Sequence, residues 1–195
     1  SVEVFPETLE NLNYKAAVEI KEESDEESVK STIEKPKLDL KPHQVILSDN
    51  QTGISYKKLF SNYLRGASNI TIQDPYIRMY YQFKNLLEFC AMLGNNKDPE
   101  DQINLEVVTW NNDEYLEESK LSLEELAQNV ESIGINLTFR FEQHHDRFIA
   151  ADNGWKITLG RGLDIFEKIE ERFSVADLDQ TKRKCKSCEL TYLKI

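Results

Sequence analysis

The stretch His144-His145-Asp146-Arg147-Phe148-Ile149-Ala150-Ala151-Asp152 sets two imidazoles and three charged side chains within and beside an apolar run. Read as a strand, it puts His145, Arg147 and Ile149 on one face and His144, Asp146 and Phe148 on the other. An imidazole beside a guanidinium is a phosphate-binding pair, because the Arg fork matches phosphate oxygens. Asp146 is a candidate partner for Arg147 or Arg161, which would consume that charge. Gly160-Arg161-Gly162 offers backbone N–H groups and a guanidinium after a strand, an arrangement able to cradle an anion. A bulge leading into a helix is the alternative reading there. Arg78, just after Asp74-Pro75, either faces the same pocket or pairs with Asp74.

The elements that must position these groups are legible as an α/β pattern from residue 45 onward. Ser55 caps a helix through Gly66, with Leu59, Phe60, Tyr63 and Leu64 on one face. Asn69–Gln73 alternates as a strand, and residues 77–93 form an amphipathic helix stopped by Gly94. Leu105–Trp110 is a strand. Ser122 opens a helix with Glu124 and Glu125 in its first turn, and Gly134 ends it. Asn136–Glu142 is a strand, and His145–Ala151 pairs with Trp155–Leu159 around the Asp152-Asn153-Gly154 turn. Glu189–Leu193 is a closing strand. Strands alternating with helices predict a mostly mixed or parallel sheet covered by helices. Trp110 and Trp155 read as packing residues, though Trp155 at a turn is also placed to insert at a lipid interface.

Residues 21–44 are charged, poor in aromatics and interrupted by Pro36 and Pro42, so they read as a linker. Residues 1–20 read as an N-terminal arm or the remnant of a preceding domain, and 45–195 as the folded domain. The chain begins with Ser, which suggests processing or a longer parent protein. Net charge is −11; residues 1–44 hold eleven acids and six bases, leaving 24 acids and 18 bases for the rest. That balance disfavours extended nucleic-acid binding, where phosphate neutralisation dominates affinity, but leaves room for a small basic pocket. No apolar run reaches the roughly 20 residues a membrane span needs, so a cytoplasmic protein is expected. Cys90, Cys185 and Cys188 read as reduced thiols. Cys185-Lys-Ser-Cys188 has the spacing of half a zinc site, but His43, His144 and His145 supply no second pair, so no metal is expected. No cofactor is expected either.

His145-x-Arg147-x4-Asp152 resembles the His-x-Lys-x4-Asp motif of phospholipase D-like enzymes, with Arg in place of Lys. There one His is the nucleophile that takes the phosphoryl group and a partner His protonates the leaving group. The Lys holds phosphate oxygens and the acid orients an imidazole. Two motif copies complete such a site, and this chain has one.

A narrower resemblance rests on blocks in a fixed order. They are Asp74-Pro75-Tyr76-Ile77-Arg78, Tyr81-Gln82, Asn85-Leu86, His145-Asp146-Arg147, Asn153-Gly154-Trp155 and Gly160-Arg161-Gly162-Leu163-Asp164. Together they are similar to the phospholipase D-like C-terminal domain of MIT-domain cytokinesis proteins, a signature also found in bacteria beside ATPase or Lon-like protease modules of phage-defence type. The resemblance implies a phospholipase D-like mixed sheet flanked by helices. It also implies a homodimer that binds acidic membrane lipids without hydrolysing them. Residues 1–44 cannot supply an MIT three-helix domain, so a cytokinesis role is not carried over.

The function expected is a non-catalytic module, the C-terminal part of a larger protein, that dimerises and binds an anionic or phosphorylated ligand through Arg78, Arg147, Arg161, Gly160 and Gly162. That ligand is either a membrane lipid, which would place the protein peripherally at a membrane, or a phosphorylated partner. The alternative is a phosphodiesterase or nuclease whose His145, Arg147 and Asp152 combine with a second copy across a dimer.

Overall fold

The computed structural model describes residues 39–195. The arm at 1–20 and the linker up to residue 38 lie outside the described residues. The chain first pairs at β1 (His43–Leu47), two residues inside the segment read as linker. His43 accounts for that difference: its ring stacks on Tyr192 at 4.4 Å and contacts the Tyr63 hydroxyl through Nδ1 at 3.2 Å. The charged stretch therefore ends in a strand whose first residue has aromatic partners.

Seven strands form one mixed sheet: β1, β2 (Asn69–Gln73), β3 (Ile103–Thr109), β4 (Ile135–Phe141), β5 (Phe148–Ala151), β6 (Trp155–Leu159) and β7 (Cys188–Lys194). Their order is β1-β7-β6-β5-β2-β3-β4. The β2, β3 and β4 trio is parallel, and β5, β6, β7 and β1 pair antiparallel. Two helices make the parallel crossovers, α2 (Tyr80–Asn96) and α3 (Asp113–Glu131), while α1 (Tyr56–Leu64) precedes β2.

Alternation assigns the faces. Ile70, Ile72, Leu105, Val107, Ile135, Leu137, Ile149, Ile157, Leu190 and Tyr192 share one side and merge with apolar residues of all three helices into a single core. The other side carries Asn69, Thr71, Asn104, Glu106, Asn136, Thr138 and Arg140 on the parallel strands. There Asn136 donates to Asn104, Asn104 to Asn69, and Asn69 to Asp152, at 2.8–3.0 Å. Polar side chains thus satisfy one another in a row across the strands.

Three helix limits differ from the sequence reading by three residues or more. The second helix begins at Tyr80 rather than residue 77, because Gln82 Oε1 accepts from the backbone N–H groups of Arg78 and Met79 and caps it from within. It also runs past Gly94 to Asn96. That glycine permits a close approach instead of a stop, since a Cβ there would lie 3.1 Å from the Ile133 side chain. The third helix starts nine residues before Ser122, after Asn112. Ser122 donates to the Glu118 carbonyl at 3.0 Å, which satisfies its hydroxyl inside a continuing helix. Trp155 is buried and packs edge-on to Tyr63, so it is not placed at an interface.

The long excursion from β6 to β7 holds only two short 3-10 turns, Val175–Asp177 and Gln180–Lys182. Leu163, Ile165, Phe166 and Cys185 pin it to the core. Among the described residues no helix is long and apolar enough to cross a membrane.

Candidate functional site

At β2 the parallel half of the sheet meets the antiparallel half, and loops from both converge over its carboxyl end. Asp74 to Met79 leave that end, Arg147 precedes β5, and Gly160 to Asp164 follow β6. They enclose a cavity of about 220 Å³ lined by Asp74, Tyr76, Gln82, Asn85, Arg147, Arg161 and Asp164, with Ile77 and Leu163 as its apolar part. Larger grooves of about 600 and 560 Å³ lie elsewhere; in the first Lys97 sits among Glu100, Asp101 and Glu131, and in the second Arg183 is bound to Glu88, with Lys57 also on the wall.

Arg147 and Arg161 both line this cavity. Arg147 lies over the Tyr76 ring at 4.9 Å, and its guanidinium makes no hydrogen bond or ion pair among the described residues. Asp146, its expected partner, offers only a backbone carbonyl, to Gln73 at 3.1 Å. Arg161 donates from Nε to the Ser187 carbonyl at 3.1 Å, which orients a fork whose other nitrogens make no bond among the described residues. Arg78 is not a lining residue. Its Nε is shared by the Pro75 and Trp110 carbonyls at 3.2 and 3.3 Å, and its guanidinium lies 5.3 Å from the Tyr76 ring. No pair forms between Arg78 and Asp74.

The Gly160 N–H donates to the Glu189 carbonyl at 2.9 Å and the Gly162 N–H faces the Leu159 carbonyl. What Gly162 supplies is proximity: at φ +63° its missing side chain leaves room for the Asp74 carboxylate, which a Cβ would overlap.

Asp74, absent from the sequence-derived site, is 4% exposed and accepts from the Tyr76 N–H at 3.0 Å. Burial pushes its pKa up to about 6, against the opposing pull of the Tyr76 N–H, the Arg147 charge and the Leu163 N–H. Asp164 is held by Lys186 at 2.8 Å. The sequence signal for Asp74 was present but weak: an acid directly at a strand's carboxyl end, before Pro75.

The strand expected at His145 begins only at Phe148, so the shared face of His145, Arg147 and Ile149 does not exist. A loop precedes β5 because Asp146 turns its carbonyl to Gln73. His145 is exposed and lies outside the cavity. His144 bonds Glu142 at 2.7 Å, and Glu142 also pairs with Arg140. Asp152 sits beyond the far end of β5, where its carboxylate accepts from the Ser68 and Asn69 N–H groups at 3.0 Å and the Asn69 side chain at 2.8 Å. It therefore orients the start of β2 rather than an imidazole of the same chain. Asp152→Ala is expected to cost about 1–2 kcal/mol in urea unfolding while leaving ligand affinity unchanged, since the carboxylate is outside the cavity.

Residues 53–194 match the family described as the phospholipase D-like domain at the C-terminus of MIT. The chain is also 37% identical, over 162 residues, to the mouse protein MIT domain-containing protein 1. That alignment takes in 82% of this chain and 65% of the mouse protein.

Proposed function

Because the chain belongs to the family of phospholipase D-like domains at the C-terminus of MIT proteins, we propose that it is a non-catalytic module binding an anionic or phosphorylated ligand between Arg147 and Arg161. The reading rests on one observation above all. Two guanidiniums line one cavity, and among the described residues Arg147 has no counter-ion bonded to it. A cation held over an aromatic face is oriented yet retains its hydrogen-bonding edge for a ligand.

The module works as a homodimer, in the cytoplasm or peripherally at a membrane, as a unit of a longer protein. Exposed Tyr76, Met79, Tyr80 and Tyr81 stand beside the cavity and suit a surface that meets lipid headgroups. Hydrolysis has less support. His145 lies outside the cavity and Asp152 is at the opposite end of β5, so within one chain neither motif residue reaches an anion held between Arg147 and Arg161.

Cosedimentation with phosphatidylcholine vesicles containing 20% phosphatidylserine, or none, tests the reading. Wild type is expected to bind the anionic vesicles, and the Arg147→Ala, Arg161→Ala double variant to lose at least tenfold. Equal binding by both proteins would overturn the assignment of the pocket. Turnover of bis(p-nitrophenyl) phosphate that disappears in His145→Ala would replace it with the phosphodiesterase formed across a dimer.

A further inference from the structure

A pocket that attracts anions by charge alone has no use for a buried carboxylate, yet Asp74 forms part of this wall. Its placement is specific. The Tyr76 N–H fixes Oδ1 at 3.0 Å, and Gly162 approaches Oδ2 without a Cβ. The charged and titratable groups facing it come from every neighbouring element. Arg147 stands on the loop before β5, and Arg161 and Asp164 on the loop after β6, the latter bound to Lys186. Tyr56 on the first helix donates its hydroxyl to the Leu163 carbonyl at 2.6 Å. None of these gives the Asp74 carboxylate a bonded cation.

An ionised carboxylate only accepts hydrogen bonds. A fully ionised oxyanion also only accepts, so the two repel with nothing to share. A phosphate that keeps one P–OH can instead donate that proton to Asp74 while its charged oxygens meet Arg147 and Arg161, forming a short charge-assisted bond. We propose that Asp74 makes the cavity selective for a phosphomonoester-type group carrying its own proton over a fully ionised oxyanion of equal charge. This rests on the anion-binding reading above and adds the ligand's protonation state to it. The cavity's volume, about seven waters' worth at roughly 30 Å³ each, suits one such headgroup with part of its ester.

Inorganic phosphate and sulfate separate the two ideas, because at pH 7.5 both are mainly dianions of similar size and only phosphate is protonated. Titrations followed by amide NMR shifts of Tyr76 and Leu163 are expected to give phosphate at least tenfold tighter affinity than sulfate. In Asp74→Asn, whose amide can donate, sulfate should tighten tenfold or more and the two affinities should fall within threefold. Should that variant not fold, wild type on a His144→Gln, His145→Gln background supplies the same information. Sulfate affinity must then rise tenfold between pH 7.5 and 5.0, as Asp74 itself gains a proton to donate. Vesicles with 20% phosphatidic acid, set beside soluble glycerol 3-phosphate at pH 6, near the second pKa of about 6 where each ester keeps a proton on much of its phosphate, tell a lipid headgroup from a free ester. Binding of either that weakens tenfold by pH 8.5, as that proton is lost, supports the proposal, and binding that does not weaken overturns the selectivity. Phosphate and sulfate binding wild type equally would overturn the selectivity while leaving the anion pocket standing. Failure of both to bind would overturn the pocket and the selectivity together.

Discussion

Glu88→Ala is expected to destabilise the domain by about 2–3 kcal/mol, less than the full cost of orphaning a buried ion pair because Glu88 is only partly withdrawn from solvent. Arg183 is 9% exposed and grips Glu88 with both terminal nitrogens at 2.8 Å. Its Nε donates to the Ala176 carbonyl at 2.7 Å, so all three guanidinium nitrogens are engaged. Gln180 adds a bond to Glu88 at 2.7 Å and accepts from the Tyr56 N–H at 2.9 Å. The second helix, the start of the first helix and the β6–β7 excursion are thereby tied at one point. Burial alone would disfavour the Arg183 charge, but the bonds and charge of Glu88 more than offset it and its pKa stays raised. Urea unfolding measures the loss, and Glu88→Gln should cost less because it keeps acceptor geometry. A Glu88→Met, Arg183→Met double variant should recover much of the stability, since it leaves no orphaned charge. Faster amide exchange at Cys185 and Lys186, whose N–H groups reach Gln51 and Ile165, would show that the excursion is what loosens first.

That latch was not legible in the sequence, and the reason is physical. Glu88 and Arg183 are 95 residues apart, and nothing local distinguishes either from a surface charge. What local chemistry controls was legible. Ser55 accepts from the Lys58 N–H and caps the first helix, and the Asp152-Asn153-Gly154 turn joins β5 to β6 with Gly154 at φ +91°. The mixed α/β sheet followed from alternating strand and helix periods. Errors arose where a polar side chain found a partner that its neighbours could not announce. Gln82 delays the second helix, Ser122 bonds backward within the third, and Asp146 gives its carbonyl to Gln73 ahead of a strand that starts late. The site shows the same division. Arg147 and Arg161 were identifiable as cations near strand ends, whereas Asp74 acquires its meaning only from the bare Gly162 backbone placed against it.

Asp74 also sets the second large expectation, in stability against pH. Its native pKa of about 6 lies above the ordinary 3.8, so between these values the folded state holds a proton the unfolded chain has released. Stability therefore falls as pH rises through this window, and above it the carboxylate costs about 3 kcal/mol, roughly two pKa units' worth. Asp74→Asn removes the penalty but also loses good acceptance of one backbone N–H. The variant is expected to be more stable than wild type by about 1–3 kcal/mol at pH 7.5 and no more stable at pH 4. The difference between the two proteins is the quantity to follow, because the remaining acids titrate alike in both and cancel. A variant that is less stable at pH 7.5 would mean that Arg147 already compensates the buried charge, and the guanidinium would then not be available to a ligand. A gain, by contrast, would mark Asp74 as a group kept at a cost to the fold. Such a cost is typical of residues held for binding rather than for packing.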